Sequence, residues 1–143
     1  MFKLLKKFGE RFKCEPIIKR KLSSKNDLNK ANSQRVITIR SIEEFYDKLM
    51  KSDSPVVVNF SAAWCLNCSI LSPLVESIVS SSPRKVVLLK VDVDDHMDLA
   101  LSYNVSAIPV LFGVSRGQVR NSLVGLHETE KIESWINDFL KTA

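Results

Sequence analysis

Two cysteines sit where sulfur chemistry is feasible: Cys65 and Cys68, within Trp64-Cys65-Leu66-Asn67-Cys68. They follow the apolar run Val56-Val57-Val58-Asn59-Phe60 and lead into a segment of helical period. This spacing puts the second thiol one helical turn from the first, within disulfide reach. With Cys65 at the helix start, unpaired backbone N–H groups and the positive end of the dipole favour its thiolate, which is then a nucleophile at neutral pH. Strand, CxxC and helix in that order point to a redox site. Zinc would need two further ligands, and Cys14, His96 and His127 show no half-site spacing, so no metal is expected. His96 and His127 read as surface or capping residues.

Positioning these thiols requires a folded domain, and 143 residues, 45% apolar and 26% charged, suffice for one. The net charge of +5 is unevenly spread. Residues 1–30 carry ten Lys/Arg against three acidic residues, a net of +7, whereas the other 113 carry 11 basic and 13 acidic, a net of −2. The folded part is mildly acidic, which argues against a nucleic-acid footprint.

The basic end has a pattern of its own. Met1, Leu4, Leu5, Phe8 and Phe12 recur at helical spacing, with Lys3, Lys6, Lys7, Arg11 and Lys13 around the polar side. No apolar run there is long enough for a secretory h-region or a transmembrane span. Residues 1–22 read as a mitochondrial transit peptide, with Arg20-Lys21-Leu22-Ser23 as its processing pattern and a mature start near Ser23 or Ser24. Glu10, Glu15 and the lack of Ser before Ser23 depart from the usual composition, and a solvated basic tail or membrane-surface helix is the other reading. Cys14 would leave with this segment, so the mature chain would hold a closely spaced pair and no other cysteine, which suits a catalytic couple.

Residues 23–35 are polar, without periodicity, and read as a flexible linker to a domain over residues 36–143. Val36-Ile37-Thr38-Ile39 reads as a strand, and Ser41 with Glu44 forms a capping box ahead of a helical stripe of Ile42, Phe45, Tyr46 and Leu49. Val56 to Phe60 and Val86 to Val91 read as strands buried on both faces. After the cysteines, Ile70, Leu71, Leu74, Val75, Ile78 and Val79 keep helical phase, so Pro73 should kink this helix without ending it. Met97 to Tyr103 reads as a short helix. Pro109 marks the start of a strand over Val110 to Ser115, which turns at Arg116-Gly117 into Gln118 to Val124. Ile132, Trp135, Ile136, Phe139 and Leu140 form the stripe of a last helix. The order β α β α β α β β α predicts an α/β fold, a mixed central sheet with helices on both faces.

These residues resemble the thioredoxin family, its mitochondrial branch most closely. The resemblance covers about residues 36–141 and rests on Val56-Val57-Val58-x-Phe60, Trp64-Cys65-x-x-Cys68, Pro73, Lys90-Val91-Asp92-x-Asp94-Asp95-His96, Tyr103-x-Val105, Ile108-Pro109, Gly117 and Gly125. It implies the thioredoxin fold, Cys65 as attacking nucleophile and Cys68 as resolving thiol, joined as a redox disulfide. It also implies that Trp64 shields the site and that Ile108-Pro109 is cis. Ile108 would offer its backbone to an extended substrate segment, and Ala107, Ile108, Pro109 and Gly125 would edge the docking groove beside Trp64. The implied activity is protein disulfide reduction in the mitochondrial matrix by a monomer. No cofactor is bound, and electrons come from NADPH through thioredoxin reductase. The partners are disulfide-bearing proteins and that reductase, and the mature domain engages no membrane.

Departures from the family pattern cluster at the site. Leu66-Asn67 replace Gly-Pro, restoring a backbone N–H at Asn67 near the helix start, and this is expected to make the couple less reducing, or else to alter docking alone. Asn59 stands where the family has a buried Asp that relays the proton of the resolving thiol, and Asn cannot titrate. Lys90, that Asp's usual neighbour, remains and is expected to turn to solvent or to Asp92. Ser69 replaces a common Lys, and Gly113 marks either a bulge or a looser strand. Two other functions stay open: a redox-attenuated binding module, and an oxidase- or isomerase-like variant.

Overall fold

The structure, a computed structural model, describes residues 35–143. The expected leader over residues 1–22, Cys14 within it, and the expected linker as far as residue 34 lie outside the described residues. In chain order the elements are β1 (Val36–Thr38), α1 (Ile42–Lys51), β2 (Val56–Ser61), α2 (Leu66–Ser81), β3 (Val87–Asp92), α3 (Met97–Ser102), β4 (Val110–Ser115), β5 (Gln118–Val124) and α4 (Thr129–Thr142). This is the order expected from the hydrophobic pattern.

The five strands form one sheet in the order β1-β3-β2-β4-β5. β3 runs parallel to both β1 and β2, because helical crossovers bring the chain back to the same sheet end. β4 is antiparallel to β2 and to β5. The β4–β5 hairpin turns through Arg116 and Gly117, both at positive φ (52° and 73°), as a two-residue type I′ turn requires.

Side chains alternate across β2, and this splits the core in two. Val56, Val58 and Phe60 face Phe45 and Leu49 of α1 and Leu99 and Ala100 of α3. Val57 faces Leu71, Val75 and Val79 of α2 and Ile132, Ile136 and Phe139 of α4. Asn59 falls on this second face, beneath α2.

The ends of the elements are held by specific groups. Ser41 Oγ accepts from Glu44 N at 3.1 Å, while the Glu44 carboxylate accepts from Arg40 N at 2.8 Å, one residue before the position a capping box uses. Arg35 donates to the Ser82 carbonyl at 2.9 Å, and its own carbonyl accepts from Leu88 N at 2.6 Å. α2 continues as helix through Pro73. Two expected stripe members, Tyr46 and Ile70, are exposed. Each lies one residue, about 100° of rotation, round from the buried line of its helix.

Gly113 is a place of close approach. A Cβ there would overlap Asn121 Oδ1 and lie 2.7 Å from the Phe139 ring, so α4 seats its aromatic directly on the strand backbone. The β4–β5 register also shifts between Gly113 and Val114, where Arg120 of β5 is left without a partner on β4, so the ladder is irregular opposite Gly113.

Candidate functional site

β2 ends at Ser61, and the chain turns at once into α2, with Cys65 N donating to the Ala62 carbonyl at 3.2 Å. Cys65 is the N-cap of α2: its backbone is extended, its carbonyl accepts from Ser69 N, and its Sγ accepts from Cys68 N at 3.2 Å. Cys65 and Cys68 are joined as a disulfide, with Cα atoms 5.2 Å apart. The first turn of α2 carries no acidic residue, so no side-chain carboxylate there offsets the positive end of its dipole at Cys65. Leu66 and Asn67 occupy the first two helical positions, whose N–H groups lack intrahelical acceptors.

The two cysteines differ in exposure, 9% for Cys65 and 2% for Cys68, and both pack with Ala62 against Val93 and Ile108. That asymmetry suits an outer sulfur that meets a partner and an inner one that follows. Trp64 and Leu66 flank the outer sulfur and are 71% and 75% exposed. The Trp64 indole Nε1 donates to Asp94 Oδ2 at 2.9 Å, and Asp94 N donates to Asp92 Oδ1 at 2.8 Å. The acidic turn after β3 therefore fixes the indole.

Two openings lie beside the disulfide, one walled by the Val93 and Ile108 that pack on it and one reaching Cys68 itself. One is an apolar groove of about 210 Å³ lined by Trp64, Val93, Ala100, Val105, Ala107 and Ile108, together with Ser106. At its wall the Ile108-Pro109 peptide bond is cis, and the Pro109 carbonyl accepts from Gly125 N at 2.8 Å. Gly125 has φ +88° and open space where a Cβ would stand. The other opening is a polar cleft of about 280 Å³ that reaches Cys68 and is lined by Thr38, Ser61, Ser69, Ser72, Lys90 and Asp92 among others.

Asn59 is fully buried. Its Nδ2 donates to Ser72 Oγ at 3.1 Å, and its Oδ1 has no partner among the described residues. Lys90 corrects an expectation: its Nζ pairs with Glu76 Oε1 at 2.6 Å and does not turn to Asp92 or lie free in solvent. The reason is placement, since Glu76 lies on α2, the helix that covers this face of β2 and β3. Of the two readings of His96, the capping one holds and the surface one does not: it is the N-cap of α3, without a side-chain cap bond, and it is buried. Its Nε2 lies 3.1 Å from the Ile39 carbonyl, tying the start of α3 to the end of the first strand segment. His127 lies apart from the disulfide, its Nε2 2.8 Å from the Val124 carbonyl.

Trp64, Ala107 and Ile108 thus share one groove, Cys68 and Lys90 share the cleft, and Gly125 joins through Pro109. Asp94, Ser72 and Glu76 were not anticipated. For Ser72 a signal existed, since it follows Cys68 by four residues and so shares its helix face. For Asp94 and Glu76 no local pattern names the partner.

The thioredoxin family profile matches residues 36–138 of this chain. The mitochondrial thioredoxins of Bos taurus and Mus musculus are 41% and 40% identical to it over 97 residues, 68% of this chain and 58% of each relative. A thioredoxin of Rickettsia bellii is 34% identical over 102 residues, 71% of this chain and 94% of that protein. Among solved structures, a mutant thioredoxin from Halobacterium salinarum superposes with a TM-score of 0.67 at 26% identity, covering 75% of this chain and 92% of that one. The chain therefore spans 58% of the length of the mitochondrial relatives it matches.

Proposed function

The chain belongs to the thioredoxin family, with the thioredoxin fold and a Cys65–Cys68 disulfide, and on that premise we propose that it is a thiol–disulfide oxidoreductase that reduces protein disulfides. The observation that carries the reading is the placement of Cys65 as N-cap of α2, with its sulfur accepting from Cys68 N beside a groove walled by Trp64 and Ile108.

In the reduced protein the Cys65 thiolate attacks one sulfur of a substrate disulfide. A Cys65–substrate bond forms, and the other substrate sulfur leaves as a thiolate. Cys68, as a thiolate, then attacks the Cys65 sulfur, the mixed disulfide breaks, and the second substrate thiolate departs. Two electrons have passed to the substrate, and the Cys65–Cys68 disulfide is restored. Ala107, Ile108 and Pro109 would border an extended substrate segment, and Trp64 would cover it. Re-reduction needs no bound cofactor, and the electrons would come from NADPH through thioredoxin reductase.

The working place proposed is the mitochondrial matrix. Residues 1–22 would serve as the cleaved transit peptide, 23–35 as linker and 36–143 as the domain, acting as a monomer. The names of the mitochondrial relatives and the basic amphipathic pattern support this. Import into isolated mitochondria tests it: processing should leave a new N-terminus near Ser23 or Ser24.

A second reading, a binding module with attenuated redox turnover, draws on the exposed Trp64 and Leu66 beside the site and on a non-titrating Asn59 beneath it. Insulin reduction with NADPH and thioredoxin reductase separates the two. A reductase turns over, whereas a binding module fails although both thiols can be reduced.

A further inference from the structure

Some helical serines turn their hydroxyls back on the helix, whereas Ser72 meets a buried side chain. Ser69, Ser81 and Ser102 donate to carbonyls three or four residues back, at 2.6, 2.8 and 2.7 Å. Ser72 donates no hydrogen bond among the described residues, and its Oγ accepts from Asn59 Nδ2 instead. An amide donor aimed at a hydroxyl oxygen leaves that hydroxyl's own hydrogen to point elsewhere. Ser72 lines the cleft that reaches Cys68 and lies one helical turn beyond it on the same face of α2.

Cys68 is nearly sealed, and burial works against its thiolate. The groups around the cleft offer little charge to counter that. Lys90 from β3 is paired with Glu76 of α2, Asp92 from β3 accepts from Asp94 N, and the Thr38 and Ser61 side chains carry no charge. The uncommitted hydroxyl hydrogen of Ser72, in the same cleft, is the donor that remains.

We infer that Ser72, held as a donor by Asn59, is a positioning residue that stabilises the Cys68 thiolate across their shared cleft and so sets the pH at which the resolving sulfur attacks. The inference rests on the disulfide-exchange reading above. In the step concerned, the Cys68 thiol of the mixed disulfide gives its proton to water in the cleft. The thiolate then attacks the Cys65 sulfur, the Cys65–substrate bond breaks as Cys65–Cys68 forms, and the departing sulfur takes a proton from solvent.

The test uses the full-length chain carrying Cys14→Ser, reduced and mixed with one equivalent of an aromatic disulfide that releases the coloured thionitrobenzoate anion. A first release reports attack by Cys65, and a second reports resolution by Cys68. Ser72→Ala should slow the second phase about tenfold below the resolving thiol's pKa, the loss of one hydrogen bond to a charged group. It should move the midpoint of the pH profile up by about one unit, leave the first phase unchanged and not lower the high-pH limit. Ser72→Thr, which keeps the hydroxyl, should restore the profile. An unchanged second-phase pH profile in Ser72→Ala overturns the inference, and so does a failure of Ser72→Thr to rescue. Absence of either phase in the parent chain overturns the exchange reading itself and is a distinct result.

Discussion

Asn59 and Lys90 lie opposite each other in the parallel β2–β3 ladder, yet each takes its partner from α2, Asn59 from Ser72 at 3.1 Å and Lys90 from Glu76 at 2.6 Å. A pair that in the family joins a buried carboxylate to a lysine is here split into two separate contacts, one neutral and one ionic.

Asn59→Asp restores a buried carboxylate facing Lys90. Above pH 7 it should speed resolution of the mixed disulfide by acting as a base, measured as the second phase of thionitrobenzoate release. Burying the charge should cost about 1–3 kcal/mol, a fall in Tm of roughly 4–12 °C. An unchanged rate would count against any relay role for this position.

Leu66→Gly with Asn67→Pro removes the N–H that residue 67 presents at the start of α2, and with it part of the stabilisation of the Cys65 thiolate. The double variant should be more reducing by roughly 15–30 mV, equivalent to about 0.7–1.4 kcal/mol. Equilibration with glutathione redox buffers reads this directly. Equal potentials would mean that Leu66 and Asn67 act on docking alone.

Asp94→Ala frees the Trp64 indole. The bond is exposed, so thermal stability should change by less than about 1 kcal/mol. The insulin assay should show KM raised about two- to fivefold with kcat nearly unchanged, since only the groove wall is loosened. A fall in kcat with KM constant would instead assign Asp94 to the sulfur chemistry.

Burial, with a smaller contribution from Tyr46, pushes the Tyr103 phenol above its ordinary value of 10.0. The unfolded chain ionises first, so this contribution is complete below about pH 10 and is lost as pH rises through the folded value. Tyr103→Phe keeps the ring against Phe45, Phe60 and Phe112 and should flatten the alkaline decline of the urea midpoint. An identical decline in both proteins would place its source elsewhere.

Much of the scaffold was readable because its signals are local. Val56 to Phe60 and Val86 to Val91 carry the near-continuous apolar runs of central strands, Arg116-Gly117 carries the hairpin turn, and Ile132 to Leu140 carries a helical stripe. What escaped depends on residues distant in the chain. Gly113 shows as a weak strand residue in sequence, and only the seating of Phe139 explains why no Cβ fits there. Buried His96 reaches the Ile39 carbonyl across 57 residues, and Trp64 reaches Asp94 across 30. The spacing of Ser72 from Cys68 places it on the same helix face, but its contact with Asn59, 13 residues back on β2, is visible only in the fold. The sulfur pair itself was legible because both members and their spacing lie in one short segment.

The central claim is that Cys65 attacks and Cys68 resolves, and trapping the intermediate tests it most directly. In the Cys14→Ser background, Cys68→Ser should accumulate a stable mixed disulfide with a substrate protein, mapped by mass spectrometry to Cys65, while Cys65→Ser should accumulate almost none. Equal trapping in the two variants, or adducts only in Cys65→Ser, would contradict the assignment.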